Sequence, residues 1–310
     1  MPTNDHHGYR LVVVIPHYFG PPTLPVMHRS ASPSHQLESQ RKRRAAVLSR
    51  TIMGIHQAVG CDQYMMQLDK RRTDPANLAY RGRVRVVVCT VGDHHLIQNL
   101  RLPACWYEHR VLDEPPTELG FACRQILSAS IDQADWLGYL EDDLWISDAL
   151  WIQKLAWFHS FAGDDALLLP NRFERSEGPL ATKAYVDGDL AAGVTSRYQN
   201  LEDSPTLTAP FLGREVTFVR AKNPHAGCFF LTPKQLRYWR TQPSFDDREP
   251  AFVGPLESAA TLGIMRSFRI YKSAMDNAGF LEIEHQSTQF IDQLRRPAAT
   301  PISTKIPPTC

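Results

Sequence analysis

Three adjacent carboxylates, Glu141, Asp142 and Asp143, interrupt an otherwise apolar stretch that reads LGYLEDDLWIS from Leu137 to Ser147. Carboxylates are seldom buried without a partner, because desolvation is costly or forces the group to take up a proton. Clustered oxygens suit a hard divalent cation, Mg²⁺ or Mn²⁺, which often keeps waters and is completed by substrate phosphates. Residues two apart on a strand point the same way. Glu141 and Asp143 can therefore reach one object while Asp142 turns aside, although an irregular strand end lets any two of the three converge. The competing reading is a polar turn ahead of a helix.

Three other segments carry chemistry-bearing side chains. Phe280 to His285 reads FLEIEH, a strand pattern with Leu281, Ile283 and His285 on one face. His285 can ligate a cation or contact a phosphate there, or sit hydrogen-bonded and inert at the edge of an apolar face. Glu257 follows Pro255 in FVGPLESAA. With proline at the first helical position, Glu257 falls in the first turn, where backbone N–H groups keep a carboxylate ionised. That suits a general base and equally a capping glutamate, and Asp246, Asp247 and Glu249 compete for the role. Asn223 to Gly227 (NPHAG) is a turn in which Gly227 admits close approach of a ligand to the backbone and His225 is a candidate contact.

These residues need elements to hold them. Leu11 to Ile15 (LVVVI) and Arg83 to Thr90 (RVRVVVCT) are β-branched runs, as in strands buried on both faces. Between them lies a Pro- and Ser-rich loop, His17 to Ser34, and then a helix with Ala45, Leu48, Ile52, Ile55 and Val59 on one face. The run Arg41 to Arg44 falls on that helix as a solvated face. Cys105 to Leu112 is a weaker strand candidate. A helix capped by Thr117 precedes the strand Trp136 to Leu140, which runs into the acidic triplet. Ser147 caps the next helix, and Ala166 to Pro170 is a short strand. This alternation predicts an α/β fold with a mostly parallel central sheet flanked by helices. Ligands of such sheets bind beyond the C-terminal strand ends, where the triplet stands. Residues 171–220 lack clear periodicity and form an irregular excursion. Gly227 to Leu231 resumes the core, and Thr232-Pro233-Lys234-Gln235 is a capping box.

Composition bounds the rest. The chain has 310 residues, 43% hydrophobic, with a formal net charge of +1, so no overall field singles out a nucleic acid or an anionic membrane as a partner. None of the six cysteines forms a CxxC pair, which fits reduced thiols better than a disulfide framework or a zinc site. With no signal-peptide pattern and no long apolar stretch, the expectation is a cytoplasmic protein without a transmembrane segment. One domain is expected over 1–296, with a nucleotide-binding half at about 10–170, an acceptor and catalytic half at about 171–296, and a flexible tail at 297–310. The chain has no phosphate-loop, dinucleotide-binding, nucleophile-elbow, HExxH or paired-cysteine deaminase motif.

In combination, VVVIPHY, LGYLEDD, PHAGCFFLT and the pair FVGPLESAA with FLEIEH resemble the nucleotide-sugar glycosyltransferases of the GT-A fold, in order over roughly residues 10 to 290. The resemblance implies metal-dependent transfer of a sugar from a UDP- or GDP-sugar to a hydroxyl of a saccharide or other acceptor. It maps the D-x-D-like cation motif onto Glu141, Asp142 and Asp143, with Asp143 the direct ligand and His285 an added one. Pro16, His17 and Tyr18 would receive the nucleotide base, and His225, Ala226 and Gly227 the acceptor. Glu257 would be the catalytic carboxylate, as a base in an inverting enzyme or a stabiliser of the sugar cation in a retaining one. Arg124 would contact the donor, or be a plain helix-surface arginine. The triplet begins with Glu rather than Asp, and the late motif has one acid where the family has two. Two alternatives stand beside this reading: a sugar-phosphate nucleotidyltransferase, against which the missing glycine-rich basic loop counts, and a non-catalytic carbohydrate-binding protein of the same fold.

Overall fold

A computed structural model describes residues 8–20, 34–60, 63–177, 182–191 and 193–295. Most of the loop expected from His17 to Ser34, and the tail expected at 297–310, lie outside the described residues.

The chain opens with β1 (Arg10–Pro16) and α1 (Ser34–Val59), then a small hairpin of β2 (Tyr64–Gln67) and β3 (Arg72–Pro75), followed by β4 (Arg83–Val91), β5 (Glu108–Leu112), α2 (Leu119–Ala129) and β6 (Trp136–Leu140). Strand order in the central sheet is β6-β1-β4-β5, all parallel. The chain runs outward from β1 to β4 to β5 and returns to β6 on the other flank of β1. Right-handed crossovers then place α1 and α2 on opposite faces, and the topological switch point falls between the C-terminal ends of β1 and β6. Val13, Val14 and Ile15 have no exposed surface, and each such side chain contributes roughly 1.5–3 kcal/mol.

Beyond β6 come β7 (Leu144–Trp145), α3 (Trp151–Ala162), β8 (Ala166–Leu168), β9 (Asn171–Arg175), β10 (Lys183–Tyr185), β11 (Thr206–Phe211), β12 (Arg214–Arg220) and β13 (Cys228–Leu231). The rest is α4 (Pro233–Arg240), α5 (Pro255–Met265), β14 (Arg269–Ser273), β15 (Glu282–His285) and α6 (Gln289–Arg295). β13 joins the central sheet antiparallel to β6. Two further mixed sheets have the orders β10-β9-β15-β7 and β11-β12-β14-β8. The molecule is thus an α/β fold of several mixed sheets with flanking helices, rather than one mostly parallel sheet.

Some local expectations change. The pair Pro115-Pro116 starts a 3₁₀ turn at Pro116–Glu118, so α2 begins after Glu118 and Thr117 does not cap it. Ser147 lies too early to cap α3, whose first residue is Trp151. Asp148 organises that entry instead, accepting the Leu150 N–H at 2.8 Å and pairing with Lys154 at 2.6 Å. The 171–220 excursion contains β9 to β12. The α4 capping box forms in both directions, with the Gln235 N–H donating to Thr232 Oγ1 and the Thr232 N–H donating to Gln235 Oε1. Cys89, Cys123 and Cys228 are buried and Cys105 exposed, all free thiols, while Cys61 and Cys310 lie outside the described residues.

Candidate active site

At the switch point, β6 delivers the acidic triplet and the three carboxylates diverge. Asp142 turns toward α1. Arg44 Nη2 donates to both its oxygens at 2.8 Å, and His17 Nδ1 meets Oδ2 at 2.5 Å. The Leu96 amide donates to His17 Nε2 at 3.2 Å, so the imidazole proton sits on Nδ1 and points at Asp142. Burial alone would raise the Asp142 pKa, but Arg44 and His17 outweigh it and hold the group below the ordinary range. Thr51 on α1 anchors the backbone here, its hydroxyl donating to the Asp142 carbonyl at 3.0 Å.

Glu141 turns the other way, beneath the NPHAG turn. Its amide donates to the Gly227 carbonyl at 2.9 Å. Gly227 has φ of +64°, and a Cβ there would stand 2.6 Å from Glu141 Oε2. Glycine is required at this position both for the left-handed backbone and for the space. Burial first, and the neighbouring Asp143 second, push the Glu141 pKa well above the usual carboxylate range.

Asp143 is brought to His285 by strand pairing. In the β15–β7 ladder His285 sits opposite Leu144, and the Gln286 amide donates to the Asp143 carbonyl at 2.9 Å. His285 Nε2 lies 3.5 Å from Asp143 Oδ2, and Nδ1 lies 2.8 Å from Glu174 Oε1. Glu174 is fully buried and also accepts the amides of Phe290 and Ile291. A carboxylate behind a histidine in this way fixes ring orientation and raises basicity. Burial lowers the His285 pKa, but Asp143 and then Glu174 outweigh it, and the net shift is upward.

Among the described residues no three His, Cys, Asp or Glu side chains converge as ligands of one ion. The donor set nevertheless fits a hard cation shared with a phosphate ligand. Asp143 Oδ1 and Glu141 Oε1 are buried without a hydrogen-bond partner, and His285 presents Nε2 to Asp143. Asp143 and His285 would hold such an ion, and waters and phosphate oxygens would complete it.

A cavity of about 270 Å³ opens beside the triplet, lined by Pro16 and Tyr18 from the end of β1, Arg44 from α1, Asp142, the start of α2 and the first turn of α5. Glu257 faces it, half-buried and without a hydrogen-bond or ion-pair partner among the described residues. Asp143 and His285 are not among its lining side chains.

Several expected contacts are placed elsewhere. His17 has no exposed surface and supports Asp142 rather than facing a base; Pro16 and Tyr18 do line the cavity. Arg124 is neither on the helix surface nor in the cavity lining. It is buried, with its guanidinium donating to the carbonyls of Phe245, Asp247 and Ala259, so it binds the loop before α5 to α2. His225 and Ala226 are buried, with His225 Nδ1 3.0 Å from Thr261 Oγ1 on α5. Arg44, by contrast, escapes a reading that takes Arg41 to Arg44 as a solvated run. The available signal is its spacing, four residues before Leu48 and seven before Thr51, on the buried edge of α1.

His225 makes a pH-dependent contribution to stability. Burial, and then the nearby Arg172, lower its pKa to about 3. The unfolded chain binds a proton at this residue below about pH 6.5, whereas the folded chain resists until about pH 3. Stability is therefore full above that window and falls with pH inside it, by on the order of 4 kcal/mol at its lower end. Urea unfolding from pH 7 to 4 should show a shallower decline in His225→Gln than in the parent chain, and parallel declines would contradict the assignment.

No family model and no curated protein matches the chain. Among solved structures it is similar to S. aureus TarS residues 1–349, with a TM-score of 0.40 and 9% identity, over 92% of this chain and 63% of that one. At that level of similarity nothing about activity follows, and the chemistry rests on the site itself.

Proposed function

We propose that the chain is a metal-dependent glycosyltransferase that moves a sugar from a nucleoside-diphosphate sugar to an acceptor hydroxyl. The observation that carries the reading is the cavity at the β1/β6 switch point, where Glu257 faces Arg44 and Asp142 across about 270 Å³, next to the Asp143–His285 pair. Pro16 and Tyr18 form the wall for the nucleotide. Asp143 and His285 hold the cation, Mn²⁺ or Mg²⁺, which when bound offsets negative charge developing on the departing diphosphate. Asp142, Arg44 and His17 fix the triplet's backbone direction and place one guanidinium at the cavity wall. Glu257 has no ion-pair partner among the described residues and stands at the N-terminus of α5, where the helix dipole favours negative charge. It takes the proton of the acceptor hydroxyl in an inverting reaction.

General-base removal typically costs 10²–10⁴-fold in rate. Glu257→Gln should therefore lower transfer by roughly that factor while donor affinity changes little. Unimpaired transfer in that variant would return Glu257 to the role of a helix-capping residue. The reading as a whole is tested by calorimetric titration with UDP- and GDP-sugars, with and without Mn²⁺. Metal-enhanced binding of one donor is expected. Failure of every donor to bind would favour a non-catalytic protein of this fold, and turnover of a sugar phosphate with a nucleoside triphosphate would favour a nucleotidyltransferase.

A further inference from the structure

Glu257 is the third residue of α5, after the N-cap Gly254 and then Pro255 and Leu256. A glutamate there ordinarily folds back to accept the N-cap amide, while a serine or threonine N-cap accepts the third amide in return. The ends of α4 show that arrangement, with Thr232 and Gln235. Neither bond forms on α5. Gly254 has no side chain to offer, and its amide already donates to the Phe252 carbonyl at 2.7 Å. That bond closes a three-residue turn on Val253, whose φ is +63°. Turns of this sense are strained, the more so on a β-branched residue. The Val253 side chain is 81% exposed, so its own packing does not offset the strain. The turn is held from the helix instead. The buried Ser258 hydroxyl accepts the Phe252 amide at 3.0 Å and lies 3.1 Å from the Phe252 carbonyl. Gly254 itself is extended, at φ −158°, a conformation open to any residue. What excludes a side chain is Glu257, because a Cβ on Gly254 would stand 2.7 Å from its Oε2.

We propose, on the reading of Glu257 as the base, that Gly254 is a positioning residue that keeps Glu257 out of the helix cap and available to the cavity. A capping glutamate has its carboxylate engaged by the helix, whereas a base must keep an oxygen free for the proton of the acceptor hydroxyl. The Val253 turn diverts the Gly254 amide to Phe252 and so removes the hydrogen bond that would hold the carboxylate down. The bare Cα of Gly254 then gives the carboxylate room beside the helix N-terminus, where the dipole favours its charge, while it still lines the cavity. Strain kept at an exposed turn beside a cavity, with no packing to offset it, is the pattern expected where backbone geometry serves chemistry.

The test is Gly254→Ser, with Gly254→Ala beside it. Serine supplies the missing cap, and alanine adds only a methyl group. Neither strains an extended backbone, so the unfolding midpoint should stay level or rise. Transfer at saturating donor should nonetheless fall by about tenfold or more in both variants, with donor affinity unchanged. In a Glu257→Gln background the same substitutions should cost nothing further, because their effect passes through the carboxylate. Crystal structures of the variants should show Glu257 Oε2 displaced by roughly 0.5 Å or more, the tolerance of a productive site. The proposal is overturned if transfer is unchanged, if the loss persists in the Glu257→Gln background, if stability falls in step with activity, or if the carboxylate stays in place. A parent chain that turns over no donor would refute the base assignment alone. Displacement of the carboxylate would then still decide whether Gly254 sets its position.

Discussion

Asp143→Asn is expected to lower sugar transfer by about a hundred- to a thousandfold, the scale lost when one preorganised electrostatic contact to a developing charge is removed. The substitution keeps shape and hydrogen-bonding capacity but removes the charge. Asp143 is the triplet member best placed for that role. Asp142 is already matched by Arg44 and His17, and Glu141 is buried under Gly227, where burial and the neighbouring Asp143 disfavour its charged form. Asp143 keeps one buried oxygen unpartnered and meets His285 with the other. Its backbone is fixed independently of its side chain, by the Gln286 amide, so the substituted amide should occupy the place of the carboxylate. The midpoint of urea unfolding should thus move little, since the side chain's own pairs, at 3.5 Å to His285 and 3.7 Å to Arg44, are long and partly exposed. Mn²⁺-dependent donor binding should weaken in parallel with transfer. Normal transfer together with normal metal dependence would remove Asp143 from the site.

How far the site could be read from the sequence depends on which physical signal each residue leaves. β1, β4 and β6 announce themselves because strands buried on both faces need continuous apolar runs, and the triplet's position follows from the end of one such run. The α4 capping box and the proline opening α5 are equally local, and both form as expected. β9 is different. It reads NRFER, and Arg172 and Glu174 are buried although a charged residue signals exposure. Their partners lie far away in sequence, Asp187 for the arginine and His285 for the glutamate. No pattern along one strand reports that a charge will be matched across a sheet. Arg44 and His17 mislead for the same reason. The basic run on α1 looks solvated, and a histidine after a strand looks ligand-facing. Both are turned to Asp142 only once α1 is laid across the end of β6. Periodicity records which side of an element is inward, and pairing of buried charge is decided by tertiary approach.

The strongest effect on stability is expected at Asp187, whose carboxylate is 3% exposed between Arg172 and Lys272, themselves 9% and 7% exposed. Arg172 Nη2 donates to Oδ1 at 2.7 Å and Lys272 Nζ to Oδ2 at 3.0 Å. Arg172 belongs to β9 and Lys272 to β14, so one carboxylate joins the two smaller sheets. Lys272 Nζ also donates to the His225 carbonyl at 2.6 Å, which carries the link on to the turn above Glu141. Removing Asp187 leaves two buried cations facing each other without compensation. Breaking a buried pair from one side typically costs about 3–5 kcal/mol, and Asp187→Ala should lose that much in urea unfolding. Adding Lys272→Met should recover part of it, because a lone buried cation is removed along with its missing partner. The pH dependence has a definite sign. Burial raises the Asp187 pKa, but Lys272 and then Arg172 outweigh it and hold the group well below the usual carboxylate range. Its stabilisation is therefore complete above about pH 4, where the unfolded carboxylate is also ionised, and is lost as pH falls below that toward the depressed native value. The parent chain should lose stability through that acid range more steeply than Asp187→Ala. A loss below about 1 kcal/mol at neutral pH, the scale of an exposed pair, would show that the three charges are not buried together in solution.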